Sequence, residues 1–202
     1  MASFIDPAYH STTFERILVI ANTSDLQLRQ KLETRVVESF KNIDVDAIEG
    51  FLLFPPTRSL TNDEKIKLLI DNHIDAYISI DVGESGVQDI YVPPTGSTTT
   101  TTGRISVSGN QADYKEKSTT TVDGGYTLSK PWAEYQAKLY DVSSGSIAWI
   151  ASSHTGGNAY ANFNTIINSF SDELAKRITE DGMVRQNIIN GRSPAGRISP
   201  NR

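Results

Sequence analysis

A threonine-rich insert, residues 95–129, divides this chain into two segments that each carry regular strand and helix patterns. It holds the unbroken run Thr98–Thr102 and a second run, Thr119–Thr121. Over 94–131, 20 of 38 residues are Gly, Ser or Thr. Such a stretch offers little apolar surface to bury, so it sits outside the core as a polar arm or a long loop. Threonine favours strands, and Ser108-Gly109-Asn110-Gln111 is a turn signal between two Thr-bearing segments. A hairpin arm and an unstructured loop both stand on this composition. A transmembrane hairpin is disfavoured, because only Ile105 and Val107 supply the apolar alternation that lipid-facing strands need.

The segment before the insert reads strand, helix, strand, helix, strand. Residues 1–14 show little periodicity and form a lead-in. The apolar run Ile17-Leu18-Val19-Ile20 reads as a strand buried on both faces. Ser24-x-x-Gln27 is a candidate capping box. Leu28, Leu32, Val36 and Phe40 then recur every four residues and give one face of a helix. Val45–Phe54 is a strand candidate, with Gly50 as a bulge and Pro55-Pro56 as its end. Thr61-x-x-Glu64 is a second capping box, followed by Ile66, Leu69, Ile70 and His73 on one helix face. Asp75–Val82 alternates, with Ala76, Ile78, Ile80 and Val82 on the buried side.

After the insert, Ala133, Tyr135, Ala137 and Leu139 alternate along Pro131–Asp141. A turn at Val142-Ser143-Ser144-Gly145 leads to a partner strand, Ser146–His154, with Ile147, Trp149 and Ala151 on one face. Gly156-Gly157-Asn158 interrupts the chain. Phe163, Ile166, Ile167, Phe170, Leu174 and Ile178 mark a last amphipathic helix, which Gly182 is placed to end. The fold class is therefore α/β: a mixed sheet of about five strands flanked by helices (β-α-β-α-β, Thr-rich arm, β-β-α). Residues 15–184 form one domain carrying the insert, and 185–202 form a flexible tail.

Composition and motifs narrow the function. The chain has no cysteine, which excludes disulfides and thiol chemistry within it. Its formal net charge is −5, and no basic stripe suggests nucleic-acid binding. No apolar run approaches the ~20 residues that span a bilayer. No Walker A loop, dinucleotide fingerprint or His-Glu-x-x-His is present. Gly83-Glu84-Ser85-Gly86 is one residue short of a nucleophile elbow. His10, His73 and His154 lie in unrelated contexts, and His73 reads as a structural residue at a helix end. Asp81, Glu84 and Asp89 form an acidic group at a strand end. Their spacing fits no calcium loop, and a solvated edge is the better reading. Asn22-Thr23-Ser24 is formally a glycosylation sequon, but reads as the start of a helix. Gly156-Gly157-Asn158 offers at most a weak anion signal before the last helix. No catalytic, cofactor-binding or metal-binding residue is assigned. Tyr91, Tyr114, Tyr126 and Trp132 cluster around the insert. They are the candidate partner-binding residues, with anchoring of the arm onto the sheet as the alternative role.

Several segments together resemble small bacterial lipoproteins of unknown function. They are Phe4-Ile5-Asp6-Pro7-Ala8-Tyr9, Phe14-Glu15-Arg16-Ile17-Leu18-Val19-Ile20-Ala21, Arg29 and Glu33, and His73-Ile74-Asp75-Ala76-Tyr77-Ile78. Beyond the insert come Ala137-Lys138-Leu139-Tyr140-Asp141-Val142, Gly145-x-x-Ala148-Trp149, and Leu174 through Val184. The layout is similar to the amino-terminal domain of TolB, to the curli secretion lipoprotein CsgG and to LpoB. The resemblance implies a mixed sheet flanked by helices and a periplasmic or outer-membrane location, with a lipid anchor in the native form. It also implies a non-enzymatic role in binding an envelope protein. A cytoplasmic protein is the alternative location. A structural subunit of a self-associating envelope or secretion assembly and an uncharacterised hydrolase are the alternative functions.

Overall fold

A computed structural model describes residues 1–93, 97–108, 111–122, 124–158 and 161–186; the expected flexible tail falls almost entirely outside this range. Its centre is a six-stranded mixed sheet in the order β1-β8-β7-β4-β2-β3. The strands are β1 (Ala2–Ile5), β2 (Arg16–Asn22), β3 (Asp46–Glu49), β4 (Ala76–Val92), β7 (Tyr126–Asp141) and β8 (Ile147–Gly156). Four helices flank it: α1 (Leu26–Lys41), α2 (Gly50–Leu53), α3 (Asn62–Asp71) and α4 (Phe163–Glu180). β2 runs parallel to both β3 and β4, while the β4-β7-β8-β1 pairings are antiparallel. The mixed α/β fold expected from the alternating periods is the one formed.

One sheet face packs against α1 and α4. Ile17 and Val19 of β2, Ile78 and Ile80 of β4, and Ala137 and Leu139 of β7 point into this core. They meet Leu32, Val36 and Phe40 from α1 and Ile166, Phe170, Leu174 and Ile178 from α4. Tyr135 stacks on Phe170 with ring centroids 4.1 Å apart. The opposite face is covered only in part. Leu18 joins Leu69 and Ile74 in a smaller cluster beneath α3, so β2 is buried on both faces, as its unbroken apolar run requires. Farther along the sheet, Glu134, Gln136, Ser152 and His154 are exposed on that same side.

Several expectations change in detail. The lead-in contributes the edge strand β1, whose Ser3 hydroxyl donates to Asp181 at 2.6 Å. The cap of α1 is Asp25, not Ser24; its carboxylate accepts from the Gln27 and Leu28 amides at 2.9 and 3.1 Å. Val45–Phe54 is a strand only over Asp46–Glu49, and Gly50 opens the short helix α2 instead of a bulge. A Cβ at Gly50 would lie 2.7 Å from the Val19 carbonyl, so the chain passes too close to β2 to continue as a strand with side chains there. The Thr61–Glu64 capping box is present. On α3 only Leu69 is buried, however; Ile66 and Ile70 are 50% and 60% exposed.

His73 lies past the end of α3, at φ 55°. Its amide donates to Ile70, and the Ile74 amide donates to Leu69. These two bonds form a Schellman motif, with Leu69 and Ile74 meeting beneath it. Gly182, at φ +73°, closes α4 with the same pair of bonds, as expected of a glycine at that point. In β8, a register shift opposite Leu139 and Tyr140 inserts Ala148 as an extra residue. Ala148 and Trp149 are therefore both buried, while Ile147 turns outward at 40% exposure.

The insert forms a hairpin, one of the two readings left open above. β5 (Ser97–Ser108) and β6 (Gln111–Val122) pair antiparallel in continuous register from Ser97↔Val122 to Ser108↔Gln111. The two threonine runs lie opposite each other, as Thr98↔Thr121, Thr99↔Thr120 and Thr100↔Thr119.

Candidate interaction surface at the base of the arm

β4 and β7 outlast the rest of the sheet. The last β7–β8 pair is Trp132↔Gly156, yet β4 and β7 stay paired out to Val92↔Tyr126. The result is a two-stranded ribbon that leads into the β5–β6 hairpin. A bulge between Val82 and Ser85 shifts the register where the ribbon leaves the core, and bulges of this kind bend and twist a strand pair. At about 3.4 Å per residue, the twelve residues of β5 span roughly 40 Å.

The structure places the four candidate aromatics along this ribbon and hairpin without gathering them into one patch. Tyr91 is opposite Thr127 and Tyr126 is opposite Val92, so the two tyrosines point to opposite sides of the ribbon. Both are well exposed, at 64% and 58%. Tyr91 extends over Gly125, where an added Cβ would meet its hydroxyl at 2.2 Å. Trp132 lies nearer the core, pairs with Gly86 and stacks on His154 at 5.2 Å between centroids. Gly86 leaves room for the indole, which would sit about 3.1 Å from a Cβ there. Tyr114 is opposite Ile105 in the hairpin ladder, and its side chain lies outside the described set. Trp132 thus packs against His154 and Gly86, whereas Tyr91 and Tyr126 are exposed.

The acidic group does not converge either. Asp89 is bonded to Ser129 at 2.6 Å, and Glu84 is exposed. Asp81 instead joins a polar cluster at the carboxyl end of the parallel strands. Asn22 donates to Ser79 at 2.7 Å and to Asp81 at 2.8 Å, and Lys138 approaches Asp81 at 3.2 Å. The Asn22 bond, with the Lys138 ammonium assisting, holds the Asp81 carboxyl below its ordinary range against the opposing effect of burial. Sequence reasoning missed this cluster because it unites three separate strands; the local Asn22-Thr23-Ser24 pattern gave no sign of it. Among the described residues, no three His, Asp or Glu side chains stand close enough to share a metal ion. Among those same residues, no helix is long and apolar enough to cross a membrane.

No family model and no curated protein matches the chain. Among solved structures it is similar to the PelC dodecamer from Paraburkholderia phytofirmans, with a TM-score of 0.49 and 15% identity over 92% of this chain and 97% of that one. It is also similar to lipoprotein GNA1162 from Neisseria meningitidis, with a TM-score of 0.44 and 12% identity over 82% of this chain and 98% of that one. The likeness to TolB, CsgG and LpoB rests on the sequence segments named above.

Proposed function

We propose that this chain is a non-enzymatic module of the bacterial cell envelope that binds a protein partner through its hairpin arm and the ribbon at the arm's base. The observation that carries the reading is the arm itself: a continuous twelve-residue ladder joined to a well-packed core through a ribbon bearing exposed Tyr91 and Tyr126. A long polar hairpin contributes little to the core of its own domain, so contact with another molecule is the role its geometry suits. Tyrosine supplies large contact area at low entropic cost and is favoured where partners meet. The lipoprotein-like segments support a periplasmic or outer-membrane location, with the native form lipid-anchored.

The second reading is self-association, with the arm packing between copies of this chain in an assembly. The partly open sheet favours it, because Phe4 on the edge strand is 62% exposed.

A photo-reactive residue at Tyr91 or Tyr126 should cross-link a discrete partner in cells, whereas one at Lys67 on α3 should not. With the photo-reactive residue at Tyr91, which the deletion leaves in place, deleting 95–129 should abolish the cross-link while circular dichroism stays that of a folded α/β protein. Light scattering separates the two readings: a discrete oligomer that falls to monomer on deletion identifies the partner as a second copy. A deletion variant that keeps the same cross-linked partner would sink the docking role.

A further inference from the structure

A cavity of about 800 Å³ lies at the carboxyl end of β2, between the sheet and the Phe54–Leu60 loop with α3. β3 and β4 flank β2 on opposite sides, and the connections that reach them, through α1 and α3, pack on opposite faces. The carboxyl end of such a strand is where open α/β sheets form their binding crevices. Apolar walls come from Ile20, Phe54, Leu60 and Leu69. The polar lining is one-sided in charge. Arg29, Arg58 and Lys65 line the cavity, and among the described residues no carboxylate does, although the chain as a whole has a net charge of −5.

Two of the acids near the sheet side of the cavity are engaged, while Asp63 on α3 is exposed. Glu33 is held by Arg29 at 2.9 Å, and Asp81 by Lys138 at 3.2 Å. Among the described residues, Arg58 and Lys65 take part in no ion pair, so the mouth keeps an excess of positive charge. Pro55-Pro56 stiffens the outer wall, and the Phe54 carbonyl accepts from Arg29 at 3.3 Å, so the wall is built before any ligand arrives. The volume is within the usual range of small-molecule sites.

We propose that this cavity binds a small amphipathic anion: an apolar body seated between Ile20, Phe54 and Leu69, with a carboxylate or phosphate held at the mouth by Arg58 and Lys65. The site is remote from the arm in sequence and does not depend on the docking role.

The test uses two fluorescent probes that share an arylaminonaphthalene body: anilinonaphthalene sulfonate, which is anionic, and N-phenyl-1-naphthylamine, which is neutral. The full chain should bind the sulfonate at one per molecule and at least about tenfold more tightly than the neutral probe, with added salt narrowing the gap. The double variant Arg58→Gln/Lys65→Gln should lose about tenfold in sulfonate affinity and keep its affinity for the neutral probe. Both residues are exposed, so the fold should be unaffected. Ser59→Trp, which fills the cavity from its lining, should displace both probes. Octanoate or phenyl phosphate should compete with the sulfonate, and which of them does so distinguishes a carboxylate ligand from a phosphate. Equal binding of the two probes, indifference to the double variant, or undiminished binding in Ser59→Trp would each overturn the proposal. Running the titration on the arm deletion as well keeps this outcome separate from that of the docking experiment.

Discussion

Replacing Glu33 with alanine should destabilise the protein by about 4 kcal/mol, a large share of the ~5–15 kcal/mol that holds a typical domain folded. Glu33 is fully buried on α1. Its carboxylate accepts from the Ala21 amide at 3.0 Å, from the Arg29 Nε at 2.9 Å and from the Phe51 amide. One side chain therefore ties together the end of β2, the first helix and the turn into α2. Truncation leaves two backbone N–H groups without an acceptor, at roughly 1–3 kcal/mol each. It also leaves the Arg29 guanidinium, only 15% exposed, without its counter-charge. Breaking a buried ion pair from one side costs about 3–5 kcal/mol. These costs describe the same lost contacts, so they overlap and do not add. For a domain of this size the melting temperature should fall by ~10–15 °C. Urea unfolding supplies the free energy, and Glu38→Ala is the control. Glu38 pairs with Arg35 at 3.3 Å but is 57% exposed, so its loss should cost less than about 0.5 kcal/mol. A Glu33→Ala variant within about 1 kcal/mol of the parent would refute the reasoning, because the three bonds could then not be what joins these elements.

Other expectations follow from single positions. Gly50→Ala should cost about 1–3 kcal/mol in urea unfolding, because its Cβ would meet the Val19 carbonyl, a backbone atom that cannot turn aside. Gly182→Ala should cost about 1–2 kcal/mol through backbone strain alone, since nothing lies within 4 Å of the added Cβ and φ is +73°. The Asp81 carboxyl is depressed from its ordinary 3.8, so its contribution to stability is complete above that value and is lost as pH falls toward the folded-state value. Melting temperature measured from pH 7 down to 3 should therefore fall less steeply for Asp81→Asn than for the parent; equal slopes would show that the Asn22 and Lys138 contacts do not favour the charged form.

Sequence alone determined the elements whose cause is local. Alternation in Asp75–Val82 and in Pro131–Asp141 gave strands with the expected buried faces, since side chains on a strand point to opposite sides by turns. The four-residue spacing of Leu32, Val36 and Phe40 gave a buried helix face, and Gly182 gave a helix end, because both follow from geometry within a few residues. Whether Tyr91 and Tyr126 are exposed or anchor the arm onto the sheet was open in the sequence, and the strand register, which turns both away from the core, decided for exposure. What tertiary structure decided was every feature that depends on a distant atom. Gly50 begins a helix because β2 passes against it and Glu33 captures the following amide. Ala2–Ile5 is a strand because β8 offers it an edge. Asn22, Ser79, Asp81 and Lys138 meet because β2, β4 and β7 lie side by side. The hairpin itself stood between the two: threonine permitted a ladder, but only pairing one threonine run against the other chose it over a loop. Local rules set what each segment can be. Register and packing, which bring together residues far apart in the chain, set which side chains share a site.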